Sequence, residues 1–181
     1  PTLKEYATKC DTITEMGVRW MVSTWSFMAG LCERPSGKLT CIDKAHPDSW
    51  DEEKWGFSRG LSTTDNAKKW AKEAGINFNL IIKDNLEITI EETDLLFIDT
   101  WHTYKQLSSE LALHADKAQK YIILHDTTTF AVGTPQNDIP IGEKGLKAAV
   151  EEFLDKSPQW EVEKVFSNNN GLTILHRASD E

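Results

Sequence analysis

Three short runs in this chain end on acids or on a histidine–acid pair. KLTCI (38–42) stops at Asp43, DLLFI (94–98) at Asp99, and YIIL (121–124) at His125 and Asp126. Short apolar runs separated by segments of helical period constrain a chain to alternate strand and helix, which argues for an α/β domain with a mostly parallel sheet. The remaining elements fit that reading. Thr12 to Glu15 is a weak strand. Ser23 to Cys32 is a helix with Ser23 as its cap and Trp25, Met28, Leu31 and Cys32 on one face. Asp65 to Ala74 is a helix capped by Asp65 and closed by Gly75. Phe78 to Ile82 is a strand, His102 to Ala118 is mostly helical, and Lys144 to Leu154 is a helix. Trp160 to Phe166 and Leu172 to Leu175 flank the turn-rich Asn168 to Gly171, so they are expected as an antiparallel hairpin.

A chain of 181 residues is one domain's worth, so a single domain over 1–181 is expected. The net charge of -9 argues against a nucleic-acid partner, because such affinity rests on clustered cationic side chains. The uncharged stretch from Trp20 to Cys32 is too short to cross a bilayer, and the start, PTLKEYATKC, has no apolar run of the signal-peptide kind. Cys10, Cys32 and Cys41 form no CxxC, which suits a reducing compartment. A cytoplasmic location without membrane contact is therefore expected.

In parallel α/β sheets ligands sit beyond the carboxyl ends of the strands. Glu15, Asp43, Asp99, His125 and Asp126 all fall there. Gathering acids is costly unless a cation, a proton or hydrogen-bond donors compensate, so these positions are candidates for a ligand site. The bland alternative is a set of solvated helix caps and loop acids. The first strand leads into Glu15-Met-Gly17-Val-Arg-Trp-Met21-Val-Ser23, which lacks GxGxxG, and GxxxxGK[ST] is absent throughout. Glu15, Gly17 and a hydroxyl residue opening a helix suit a ligand with a carboxylate: Gly17 admits close backbone approach and the helix N-terminus receives the anion. Asp43 at the next strand end can accept both hydroxyls of a ribose. A ligand with a carboxylate, a ribose and no phosphate is S-adenosylmethionine.

Three stretches carry a resemblance: TEMGVRWMVSTWSF (14–27), FIDTWHTYKQLSSEL (97–111) and YIILHDTTTF (121–130). In order and spacing they resemble the class I S-adenosylmethionine-dependent methyltransferases, nearest to the small-molecule O-methyltransferases and the cephalosporin-hydroxylase-like branch. The tail, GLKAAVEEFL followed by WEVEKVFSNNNGLTIL, is similar to the closing helix and hairpin of that fold. The resemblance implies a Rossmann-like, doubly wound sheet of about seven strands, mostly parallel, with one antiparallel strand near the C-terminus. It implies that Glu15, Gly17 and Ser23 hold the methionine end of the cofactor and Asp43 its ribose. Asn85 and Trp101 would lie near adenine, with Asp84 as an alternative contact. Met21 stands where many members carry a second glycine.

Methyl transfer needs the acceptor aligned and deprotonated. The resemblance implies that Asp99, Asp126 and Thr127 bind Mg or Mn, with Thr127 where Asn or Asp is more usual. Asp99 also counts among the catalytic and cofactor-binding residues, and His102 stands where related enzymes place a general base. Against these readings, His102 is alternatively a helix cap, His125 an oriented core histidine, Asp43 a turn acid and Trp101 a core anchor. Residues 46–61, with Trp50, Trp55 and Phe57 among acids, are expected as a loop and short helix beside the site, a substrate lid or a self-packed excursion. The loop from Thr127 to Gly142 is expected to touch the acceptor. The expected activity is methyl transfer to a hydroxyl of a small molecule or sugar, assisted by a divalent metal. A non-catalytic binding module and a nucleic-acid methyltransferase are the rivals. The short segment before the first strand would leave the site open, or covered by a missing segment or the partner of a homodimer.

Overall fold

The computed structural model describes residues 1–34, 36–50, 54, 60–137 and 139–178. It holds a seven-stranded sheet, mostly parallel, flanked by helices, with one antiparallel strand near the C-terminus. The chain divides into two compact units, Pro1–Ile88 and Thr89–Glu181.

The first unit contains α1 (Thr2–Ala7), β1 (Thr12–Met16), α2 (Val22–Leu31), β2 (Lys38–Asp43), α3 (Thr64–Glu73) and β3 (Asn77–Ile82). Its strands run parallel in the order β3-β2-β1, with Thr14 beside Thr40 and Thr40 beside Asn79. Ile13, Met16, Leu39, Cys41 and Ile42 are buried and anchor the two inner strands. The buried side of α2 includes Thr24, Phe27, Met28 and Leu31, the i, i+3, i+4, i+7 spacing of one helix face. This differs from the face expected from sequence: Cys32 lies beyond the helix and is exposed, and Trp25 reaches sideways to the Ser62 hydroxyl, 2.9 Å away. Gly30 lets α1 pack closely on α2, since a Cβ there would stand 2.4 Å from that of Ala7. The cap of α3 is Thr63, whose Oγ1 accepts from the Asn66 amide, rather than Asp65. Asp65 sits in the first turn, where its charge complements the helix dipole. Gly75, at φ +71°, ends the helix as expected.

The second unit contains β4 (Thr93–Ile98), α4 (Tyr104–His114), β5 (Ala118–His125), α5 (Leu146–Lys156), β6 (Trp160–Phe166) and β7 (Leu172–Arg177). Its strand order is β4-β5-β7-β6; β4 and β5 are parallel, and β7 is antiparallel to both neighbours. Leu95, Leu96, Phe97, Ile122, Ile123, Ile174 and Leu175 are buried in this unit's core. The helix expected from His102 starts at Tyr104, because the Thr103 hydroxyl caps it by accepting from the Gln106 amide. The hairpin turn clasps the loop after β5. Asn170 O accepts from both Thr128 N and Thr129 N at 2.9 Å, and a Cβ on Gly171 (φ +101°) would lie 2.3 Å from Thr128 N. Only glycine admits that approach.

Candidate active site

The first unit supplies a loop between β1 and α2 whose backbone turns left-handed three times, at Gly17 (φ +82°), Arg19 (+44°) and Met21 (+64°). Such angles are ordinary for glycine and costly for Arg and Met. The loop is tied down over its first three residues. Gly17 N donates to Ile42 O at 2.9 Å, and Asp43 Oδ2 accepts from Val18 N at 2.8 Å and Arg19 N at 3.0 Å. Asp43 Oδ1 accepts from Ala45 N at 2.9 Å. A carboxylate offers about four lone-pair sites, so among the described residues one on Oδ1 remains for a ligand. As placed, Asp43 has room for one ribose hydroxyl rather than the expected two, unless the loop amides release it.

Glu15 is wholly buried at the end of β1. It accepts from the Ser23 hydroxyl, from Thr24 Oγ1 at 2.6 Å and from Cys41 Sγ at 3.1 Å. Burial, then the neighbouring Glu15 charge, pushes the Cys41 thiol well above its ordinary range, so it remains a neutral donor. Ser23 is therefore not the cap of α2. Met21 occupies that position, and the Ser23 hydroxyl turns to Glu15. Asp84 caps a short 3-10 turn (Asn85–Glu87) by accepting from Leu86 N at 3.0 Å. Asn85 is buried, with Nδ2 3.6 Å from the sulfur of Met16 at the end of β1. Of the expected lid, Pro47–Ser49 form a 3-10 turn and Arg19 lies over the Trp50 ring at 5.6 Å, while Trp55 and Phe57 lie outside the described residues.

The second unit gathers two acids and two histidines. Ile98 of β4 stands beside Leu124 of β5, which brings the residues after them together. His102 Nε2 lies 2.8 Å from Asp126 Oδ2 and 3.3 Å from Asp99 Oδ1. His125 Nδ1 lies 3.2 Å from Asp99 Oδ2 and 3.1 Å from Asp126 Oδ1. Burial works to raise the Asp99 carboxyl, but the histidines outweigh it and hold the group at about 2. Burial works to lower His102, but its bonds to Asp126 and then Asp99 raise it to about 9. His125 is likewise raised against burial by Asp99, Asp126 and the Asn169 backbone. With no metal bound, His102 is thus an imidazolium at neutral pH and holds the proton a base would have to accept. It does not cap α4; Thr103 does.

Thr127 receives a hydrogen bond from Thr173 Oγ1 at 2.9 Å. Trp101 is 61% exposed, so it is not a core anchor. Sequence reasoning passed over two supporting residues. Phe130 stacks on His102 with ring centroids 4.5 Å apart and planes 9° from parallel. Glu110, buried on α4, accepts from Thr100 Oγ1 at 2.6 Å and Gln106 Nε2 at 2.8 Å, which ties down the residue after Asp99. A Glu one turn after Leu107, on the face that also buries Leu111, was the available signal.

The order and direction of the elements are those of the class I S-adenosylmethionine-dependent methyltransferase fold. A protein from Corynebacterium glutamicum is similar at a TM-score of 0.66 and 15% identity, over 99% of this chain and 80% of that one. The S-adenosylhomocysteine-bound methyltransferase PaMTH1 of Podospora anserina gives 0.63 and 15%, over 99% and 77%. The O-methyltransferase TomG of Streptomyces achromogenes, involved in tomaymycin synthesis and in complex with S-adenosylmethionine, gives 0.57 and 16%, over 98% and 78%. At these identities the likeness is one of fold. No protein-family model matches the sequence, and no curated protein matches it. Among the described residues, no helix is long and apolar enough to cross a membrane.

Proposed function

We propose that this chain transfers a methyl group from S-adenosylmethionine to a hydroxyl of a small molecule or sugar, assisted by a divalent cation. The observation that carries the reading is the loop 17–21, which carries three left-handed residues and is tied through the Val18 and Arg19 amides to Asp43 at the end of β2. Holding two non-glycine residues in costly angles is a feature of sites where close backbone approach is used. The methyltransferases of the same fold, one bound to S-adenosylhomocysteine and one to S-adenosylmethionine, support the choice of ligand.

In this reading Gly17 presents backbone without a side chain, and Glu15 orients Ser23 and Thr24 at the first turn of α2. Asp43 accepts a ribose hydroxyl, while Asp84, Asn85, Asp99 and the exposed Trp101 are the other candidate contacts. The sulfonium of the bound cofactor supplies an already activated methyl group. The chain's own work is then to orient the acceptor hydroxyl and to remove its proton.

Asp99 and Asp126 fit a divalent cation, since Asp126 Oδ1 is buried without a hydrogen-bond partner among the described residues. Such an ion, with Thr127 as a further candidate ligand, would lower the acceptor's pKa. A bound cation would offset the carboxylate charge that keeps His102 protonated, and a neutral His102 would then be able to accept the acceptor's proton.

The test is to incubate the protein with methyl-labelled S-adenosylmethionine, Mg or Mn, and a panel of catechols, phenols and sugars. Acceptor-dependent release of S-adenosylhomocysteine supports the proposal. Cofactor binding with no transfer to any acceptor would favour a binding module.

A further inference from the structure

We propose that Asn170 and Gly171, in the turn between β6 and β7, are positioning residues: they hold the loop after β5 so that Phe130 stays stacked on His102. The turn meets that loop at several points. Asn170 O accepts from Thr128 N and from Thr129 N, both at 2.9 Å. Thr129 Oγ1 donates to Asn170 Oδ1 at 3.2 Å. Thr173 Oγ1 donates to Thr127 Oγ1 at 2.9 Å, and the Asn169 backbone bonds to the His125 ring.

Closing the hairpin does not require a turn of this kind. Phe166 pairs with Leu172, so residues 167–171 link the two strands. An Asn-Gly pair alone can close a hairpin. Three consecutive residues of this turn are left-handed: Asn169 at φ +50°, Asn170 at +66° and Gly171 at +101°. Asparagine tolerates such angles better than most side chains, yet each still costs free energy. Glycine is required at 171, where a Cβ would collide with the backbone and side chain of Thr128. Strained backbone persists where its surroundings hold it, and it clusters at functional sites. Here the strain aims the Asn170 carbonyl at two amides of the loop that follows Asp126.

The hold passes to His102 through one turn of chain. Phe130 N donates to Asp126 O at 3.0 Å, and the Thr128 and Thr129 amides inside that turn go to the Asn170 carbonyl. Beyond the turn, Leu146 N donates to Phe130 O at 2.8 Å and Lys147 N to Ala131 O at 3.2 Å. Phe130 is therefore fixed on both sides. Its ring centroid lies 4.5 Å from that of His102, with the planes 9° from parallel. The carboxylates of Asp126 and Asp99 hold one nitrogen of His102, and Phe130 sets the plane of its ring. A base has to meet the acceptor's proton within hydrogen-bond reach, so a ring free to tilt loses turnover rather than cofactor affinity.

The kinetic half of the test rests on the methyltransferase reading; the spectroscopic half does not. The first readout is turnover with S-adenosylmethionine and whichever catechol, phenol or sugar the wild type methylates. Asn170→Val puts a β-branched residue at a left-handed position, and Gly171→Ala puts a Cβ against Thr128. Each should lower kcat by at least about ten-fold and change the S-adenosylmethionine KM by less than about three-fold. Asn170→Gly keeps the left-handed turn and the carbonyl, so its turnover should lie within about three-fold of wild type. The second readout is the proton NMR spectrum of metal-free protein, in which the Phe130 ring current moves the His102 ring C–H signals upfield. Those signals are assigned by their absence in His102→Gln. They should move toward their Phe130→Leu positions in Asn170→Val and Gly171→Ala and stay in place in Asn170→Gly. Circular dichroism checks folding, and an unfolded Asn170→Val is replaced by Asn170→Ala. His102 signals unmoved in both disruptive variants, turnover unchanged in both, or a loss as large in Asn170→Gly overturns the proposal. A lowered melting temperature with neither change marks a merely structural turn and overturns it too. The expected signal changes in a protein that methylates no acceptor would sink the methyltransferase reading and leave the hold on His102 standing.

Discussion

His102 Nε2 approaches Asp126 Oδ2 to 2.8 Å and Asp99 Oδ1 to 3.3 Å, so one imidazole closes on two carboxylates carried by neighbouring strands. Two acids at that separation would otherwise repel until one took up a proton. The ring that relieves the repulsion is also stacked on Phe130, which leaves it little freedom to swing away.

The first expected consequence is a pH dependence of stability in metal-free protein. His102 is raised from 6.5 to about 9, so its contribution is fully present below about 6.5 and lost as the pH rises through about 9. Asp99 is lowered from 3.8 to about 2, so its contribution is present above about 3.8 and lost as the pH falls through about 2. Melting in chelator should therefore weaken between pH 6.5 and 9.5, by on the order of 2–3 kcal/mol. His102→Gln should flatten that slope. An equally steep slope in the variant would assign it to other groups.

A second outcome concerns Glu15, whose carboxylate accepts from Ser23, Thr24 and Cys41 in a buried setting. Glu15→Gln turns an amide donor toward at least one of these donors. The expected cost is about 1–3 kcal/mol in urea unfolding, larger than for Ser23→Ala. A neutral effect of Glu15→Gln would mean that these hydrogen bonds do not organise the start of α2.

Met21 offers a third. It is fully buried, and its φ of +64° suits glycine. Met21→Ala loses packing and keeps the strain, whereas Met21→Gly loses the same packing and relieves it. The glycine variant should be the more stable of the two by about 1 kcal/mol, the reverse of the usual order near a helix. If the alanine variant melts higher, the left-handed turn at Met21 carries no strain.

Where local pattern decides an element, the sequence was readable. The strands after Lys38, Phe78 and Asp94 and the closing hairpin lie where their apolar runs and turn residues put them. Caps were harder. Asp65 and Ser23 have the chemistry of caps, but Thr63 holds one cap position and a left-handed Met21 the other, because Ser23 is drawn to a buried acid from another element. The acids at strand ends were visible one at a time. That Asp43 is largely engaged by loop amides, and that His102 and His125 neutralise Asp99 and Asp126, depends on contacts made only in the folded chain. Phe130 gave no sign of its neighbour for the same reason, and the helical pattern that marks Glu110 as buried does not say that it would bind Thr100.

The most direct measurement is a calorimetric titration of wild type and Asp43→Ala with S-adenosylmethionine, S-adenosylhomocysteine and NAD. Asp43 offers a charge-assisted bond to ribose worth roughly 1.5–3 kcal/mol, so its loss should weaken the two sulfur ligands by at least about ten-fold. Binding of both at one site per chain, weakened by the substitution and not matched by NAD, is the expected result. No binding of S-adenosylmethionine at millimolar concentration, or equal affinity in the two proteins, would contradict the assignment of this loop and of Asp43 to the cofactor.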